Sequence, residues 1–286
     1  MRAPGPHDRG LEFDLAVLAQ RRRLWLPRRR VVQLLAGLPL LALAGCSNDK
    51  DSGLSPDPGA SNGGGAPSSK AAGSPGSPSE CTAIPEETAG PYPADGSNGP
   101  NALAESGIVR RDITKSVGAA GGEADGIPLT ITVAVLDGNN NCAALQGVAV
   151  YVWHCDRDGR YSLYSKGVTD ENYLRGVQET DANGRATFKS IFPGAYSGRW
   201  PHIHFEILEA VTAPNTIATS QIALPEDACS LVYETSGYRG SVRTFAQASL
   251  NRDNVFGDDA AERQLGTVSG DVKSGMAVEL PVTVEA

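Results

Sequence analysis

From residue 129 onward the chain is built from short stretches that alternate apolar and polar side chains. Most of these stretches are closed by Gly, Asn, Asp or Pro. "LTITVAVLD" (129–137) runs into "GNNNC", and "VAVYVWHC" (148–155) runs into "DRDG". "RATFKSIF" (185–192) stops at Pro193 and Gly194, "PHIHFEIL" (201–208) at a loop, and "ATSQIAL" (218–224) at Pro225. "MAVELPVTV" (276–284) comes last. Side chains in a strand alternate faces, so a period of two with frequent turn residues specifies half-buried strands rather than helices. Many short strands with no helical run between them predict an all-β fold, an antiparallel β-sandwich with long loops and few short helices. Short helices are expected only at "DDAAERQLG" (258–266) and in parts of 100–115. No internal repeat is present.

The N-terminal third has a different character. "RRRLWLPRRRVVQLLAGLPLLALAGC" places a basic stretch before an apolar run of about fifteen residues, ending in small residues at Cys46. A basic segment followed by a short apolar one reads as an export signal, too short to span a bilayer comfortably. "LAGC" resembles the bacterial lipobox, which makes Cys46 the expected lipidation site. Arg28 and Arg29 resemble the pair of a twin-arginine signal, with Val where Phe is usual. Residues 46–80 hold almost no large apolar side chain and cannot bury enough surface to order themselves, so they are expected to form a flexible lipidated linker. The expected organisation is an export signal over 1–45, the linker over 46–80 and one β-sandwich domain over 81–286. The expected location is extracytoplasmic, with the membrane reached through the lipid.

The chain has 25 Lys and Arg against 33 Asp and Glu, a formal charge of −8. Eight of those basic and three of those acidic residues lie in 1–45, leaving −13 on the remainder. That balance argues against nucleic acid as a partner. Beyond Cys46 there are four cysteines, Cys81, Cys142, Cys155 and Cys229. An even count outside the cytoplasm predicts two disulfides with three possible pairings. No C-x-x-C spacing supports a zinc site.

Two of the four histidines stand two apart in "PGAYSGRWPHIHFEI" (193–207). On a strand, His202, His204 and Glu206 share one face, and Ile203, Phe205 and Ile207 the other. Imidazoles ~7 Å apart along a strand can reach one metal between them. His7 lies in the export signal, and His154 ends a strand where packing is expected, so a three-histidine site is hard to assemble. Tyrosines remain: Tyr161 and Tyr164 in "DGRYSLYS", and Tyr196 just before the histidines. Phenolate is a hard anionic ligand suited to ferric iron.

Tyr161 in "GRY", Tyr196 in "PGAY" and "RWPHIHF" at 199–205 resemble the intradiol ring-cleavage dioxygenases, the family of protocatechuate 3,4-dioxygenase and catechol 1,2-dioxygenase. The resemblance extends to "PEETAGPYP" (85–93), "VYVWHCDRDGRYS", "RGVQETDANGRATFKSIFPG" and "TSQIAL", roughly residues 81–260. It implies an Fe(III) held by Tyr161, Tyr196, His202 and His204, with Tyr196 the axial tyrosine that departs when a catechol chelates. Arg199 matches the arginine that stabilises charge on the ring, and Gln221 a glutamine near the oxygen site. Gly90, Pro91 and Tyr92 match a segment lining the substrate pocket. The implied reaction joins a catechol-type diol and O2 to give a cis,cis-muconate-type diacid. Only "SGRWP" separates Tyr196 from His202, shorter than in the protocatechuate enzymes. Residues that would bind a ring carboxylate there have no counterpart, so plain, alkylated or aryl-substituted catechols, including lignin-derived ones, are the expected substrates. The rival expectation is a non-catalytic surface β-sandwich, transthyretin-like or carbohydrate-binding, which needs no chemistry at these positions. An extradiol enzyme is disfavoured, because that chemistry uses Fe(II) with two His and a carboxylate.

Overall fold

The alternating stretches form strands in the computed structural model, which describes residues 81–211 and 213–286. The expected export signal, Cys46 and the linker lie outside the described residues. All described residues fall within one compact unit.

Nine strands make two sheets among the described residues. One is purely antiparallel, in the order β4 (Arg175–Glu179), β3 (Ala149–Trp153), β6 (His202–Ala210), β7 (Ala213–Ala223). The other joins β2 (Ala143–Ala144), β1 (Pro128–Asp137), β9 (Gly275–Val284) and β8 (Thr267–Asp271), with β5 (Arg185–Ile191) also on β1. The C-terminal β9 lies parallel to β1, with Ile131 opposite Val278 and Val133 opposite Leu280. Inward side chains of both sheets fill one core: Leu129, Ile131, Val133 and Val135 from β1, Val150 and Val152 from β3, Ile203, Phe205 and Ile207 from β6, and Val278, Leu280 and Val282 from β9. The period of two is thus spent on a sandwich, the expected all-β class.

The antiparallel sheet is covered on its other face as well. Ala149, Tyr151, Trp153 and Val177 point outward there and are buried under Ala94, Ala102 and Ile108 of the N-terminal segment and under Tyr161 and Tyr164 of the loop after β3. This second apolar layer makes His202 and His204 buried residues although they face away from the main core.

Several sequence expectations need correction. "DDAAERQLG" forms turns, not a helix. Ala260 and Ala261 adopt left-handed φ of 56° and 58°, and the Ala261 N–H donates to the Asp259 carboxylate, a local bond that competes with a helix. The short helix expected within 100–115 does form, as a 3-10 helix over Ala102–Ala104. Among the described residues two α-helices form: α1 (Glu226–Tyr233) and α2 (Arg239–Phe245). Helix α1 starts after Pro225 with Glu226 and Asp227 in its positive first turn, and it buries Ala228, Cys229, Val232 and Tyr233. The expected second disulfide does not form. Cys81 and Cys142 are bonded, whereas Cys155 and Cys229 are buried free thiols. The Cys155 thiol donates to the Gly194 carbonyl at 3.3 Å and Cys229 lies 3.9 Å from the Leu224 carbonyl, so each thiol faces its own backbone acceptor.

Candidate metal centre

Strand register sets the base of the site. Arg175, Trp153, His204 and Gln221 are cross-strand partners in turn, one row across all four strands of the antiparallel sheet. Trp153 and His204 stack with ring centroids 4.9 Å apart and planes within 4°. His202 and His204 share a face as expected. Glu206, on that same face, turns instead to Thr219, whose hydroxyl lies 3.5 Å from its carboxylate.

Two loops bring the tyrosines. In the loop after β3, buried Asp156 accepts from the backbone of Asp158 and Arg160 and from the Arg160 side chain, which folds the chain tightly just before Tyr161. The Tyr161 N–H then donates to Ser165 Oγ at 2.9 Å. In the loop before β6, Gly194 lies against this turn, and a Cβ there would stand 2.3 Å from the Arg157 carbonyl oxygen. Only glycine allows that approach. Its N–H donates to the Asp156 carbonyl, which ties the two tyrosine-bearing loops together.

Four side-chain atoms converge. Tyr196 Oη is 3.1 Å from His202 Nε2 and 3.4 Å from Tyr161 Oη. Tyr161 Oη is 3.5 Å from His202 Nε2, and the two Nε2 atoms are 3.1 Å apart. His202 Nδ1 donates to the Trp200 carbonyl at 2.5 Å, so its Nε2 carries the lone pair that faces the cluster. His204 Nδ1 is buried with no hydrogen-bond partner, and it is Nε2 that faces the cluster. Burial, reinforced by Arg199, holds both imidazoles below the usual histidine range, so both are neutral. Burial likewise pushes both phenols up. Two neutral imidazole nitrogens and two phenol oxygens around one point form an N2O2 set that fits a hard, highly charged metal such as Fe(III), to which phenolates bind as anions.

Arg199 stands beside this set. Its Nη1 is 3.4 Å from His202 Nε2, its Nη2 donates to Gln221 Oε1 at 2.7 Å, and its Nε donates to Asp253 at 3.0 Å. Gly90 has φ +71°, and a Cβ there would lie 3.1 Å from His204 Cε1. The Tyr92 ring packs on Tyr161 with centroids 4.8 Å apart. Pro91 carries its carbonyl outward to Asn98 Nδ2. Tyr161, Tyr196, Arg199, His202, His204, Gln221, Gly90 and Tyr92 are thus gathered in one place. His154 is apart from it, bonded to the Cys155 carbonyl and Ser190 as a packed residue. Sequence reasoning missed Trp153, although its alternation with Val152 placed it on the histidine face. It also missed Asp253, for which the local sequence carries no signal.

Fold and site define a two-sheet sandwich with a buried tyrosine–histidine centre under a second apolar layer. Residues 98–229 match the family model described as dioxygenase. An intradiol ring-cleavage dioxygenase from Tetranychus urticae is similar over 71% of this chain and 95% of its own, at 26% identity and a TM-score of 0.58. A second dioxygenase structure has the same identity, share of this chain and TM-score over 94% of its own length. The dioxygenase domain of a carbohydrate-binding fusion from Streptomyces sp. SirexAA-E is more distant, at 23% identity, 72% and 99% coverage and a TM-score of 0.47. No curated protein matches the sequence significantly. In the matched segment and in its fold, this chain is similar to the intradiol ring-cleavage dioxygenases.

Proposed function

We propose that the protein catalyses Fe(III)-dependent intradiol cleavage of catechol-type diols by O2. The bond between the two hydroxyl-bearing carbons breaks, and both oxygen atoms enter a cis,cis-muconate-type diacid. The observation that carries this reading is the convergence of Tyr161 Oη, Tyr196 Oη, His202 Nε2 and His204 Nε2, with Arg199 Nη1 beside them.

Those four residues would hold the iron. When bound, Fe(III) supplies Lewis acidity that lowers the pKa of a chelating catechol and makes its ring reactive toward O2. Tyr196 Oη is the base at hand: ionised as a ligand, it would take one of the two catechol protons and leave the other to solvent. Arg199 contributes a fixed cation where negative charge develops on the ring, and Gln221 keeps its Nη2 edge occupied. Trp153 holds the His204 plane, and Gly90 leaves room at its edge. The apolar layer above the sheet excludes water, which strengthens each of these interactions. Residues that would grip a ring carboxylate are not supplied by the short Tyr196–His202 loop, so uncharged and aryl-substituted catechols, lignin-derived ones included, are the proposed substrates. Export and lipidation at Cys46 would put this chemistry outside the cytoplasm, on the membrane.

Oxygen uptake by iron-loaded protein on a catechol panel, with product identification, tests the proposal. His204→Ala is expected to lose iron together with the tyrosinate-to-iron absorption. Arg199→Ala should keep both and lose about 10²-fold in turnover, the scale for one preorganised charged group. An uncoloured, metal-free parent that consumes no oxygen would leave the non-catalytic sandwich as the better account.

A further inference from the structure

A catalytic role for Arg199 requires that its guanidinium be aimed. An arginine offers three N–H edges, and a flexible side chain that reached the site from a loop would sample many rotamers. Here two of the edges are taken. Nε donates to both carboxylate oxygens of Asp253, at 3.0 and 3.3 Å, and Nη2 donates to Gln221 Oε1 at 2.7 Å. The Phe256 ring lies under the guanidinium, 5.8 Å from its carbon. Nη1 alone is left, and it faces His202 Nε2.

Asp253 is itself immobilised. Its carboxylate accepts the backbone N–H of Trp200 at 2.6 Å, of Val255 at 2.9 Å and of Phe256 at 3.2 Å. The Arg199 side chain is 9% exposed and that of Asp253 1%, so this is a buried ion pair, far less screened than one on the surface. Asp253 therefore fixes, at once, the guanidinium, the backbone immediately after Arg199, and the loop that carries Phe256. It lies beyond residues 98–229, in a segment that the family match does not cover.

We propose that Asp253 is the positioning residue of the site: it clamps Arg199 so that Nη1 is presented to the substrate bound at the tyrosine–histidine centre. Asp253 touches neither substrate nor metal and acts through Arg199. This inference rests on the proposed dioxygenase reading for its catalytic consequence, and on the buried pair alone for its structural one.

The test is a double-variant cycle with Arg199→Met, Asp253→Asn and both together. In metal-free protein, Asp253→Asn leaves Arg199 as an uncompensated buried charge, so it should unfold at lower urea than the parent. Removing that charge as well should restore part of the loss, and the double variant should unfold at higher urea than Asp253→Asn alone. In iron-loaded protein, Asp253→Asn should keep the iron content and the charge-transfer absorption. Its kcat should fall at least tenfold with KM within about threefold, and in the Arg199→Met background the same change should cost less than twofold. Equal losses in both backgrounds, or additive urea midpoints, overturn the clamp. If Asp253→Asn does not accumulate folded, Asp253→Glu carries the kinetic arm alone, because it keeps the charge but moves the carboxylate by one methylene: kcat should fall in the parent background and change less than twofold in Arg199→Met. Should the parent turn over no catechol, the dioxygenase reading fails and the urea cycle still decides whether Asp253 holds Arg199.

Discussion

Gly90→Ala isolates one contact at the heart of the site. Gly90 has φ +71°, a conformation that costs a residue with a Cβ about 1–2 kcal/mol. The new methyl would also stand 3.1 Å from His204 Cε1 and 3.7 Å from its Nε2. The imidazole cannot simply retreat, because it stacks on Trp153 and its Nε2 already lies 3.1 Å from that of His202. Overpacking of this kind adds about 1–3 kcal/mol, for a total of about 2–5 kcal/mol. Gly167→Ala is the control, with φ +88° and nothing within 4 Å of its Cβ, so it carries the backbone cost alone. Urea or thermal unfolding of both variants separates the two contributions, at about 2–4 °C in Tm per kcal/mol for a domain of this size. Gly90→Ala should be the more destabilised and should retain less iron, since the methyl displaces a ligand nitrogen. If the two variants unfold together and Gly90→Ala holds iron as the parent does, the close approach of this backbone to His204 is refuted.

Two further outcomes follow from other parts of the molecule. The Cys81–Cys142 bond spans 61 residues, and a cross-link of that length stabilises by about 4 kcal/mol through the unfolded chain. Cys81→Ser with Cys142→Ser should lose roughly that amount, and non-reducing mass mapping of the parent should find this bond with Cys155 and Cys229 as thiols; a Cys155–Cys229 bond would contradict the structure. Burial, with Asp258 and Asp259 nearby, pushes the Glu87 carboxyl from 4.5 up to about 7. The folded state then holds this proton more tightly than the unfolded chain. Its contribution to stability is complete below pH 4.5 and is lost as pH rises through about 7. Glu87→Gln should flatten stability across that window, and an unchanged slope in pH-dependent urea midpoints would rule out Glu87 as its source.

The strands and the shared face of His202 and His204 were legible because both depend on local periodicity. Alternation at 129–135 and 203–207 assigns each residue to a face, and hydrophobic burial then forces that face inward. His202 and His204 had to share the opposite face for the same reason. The resemblance supplied Tyr161, Tyr196, Arg199 and Gln221, which come from separate loops and strands and have no spacing rule of their own. Misassignments came where local signals compete. The Asp259 side chain captures the backbone that would have made a helix at 258–266, whereas the Pro–Glu–Asp start of α1 was a readable signal that went unused.

Tertiary structure alone decided the rest. Whether four cysteines make one bond or two depends on where Cys155 and Cys229 sit, and each faces a backbone carbonyl instead of a thiol. That β9 lies parallel to β1 is a matter of chain return that no local pattern encodes. Asp253 is 54 residues from Arg199, and only folding brings its carboxylate to the guanidinium. Side-chain periodicity is a property of neighbours in the chain, so a sequence states which face a residue takes. Which distant charge completes that face is determined by the packing of loops whose order comes from the whole fold.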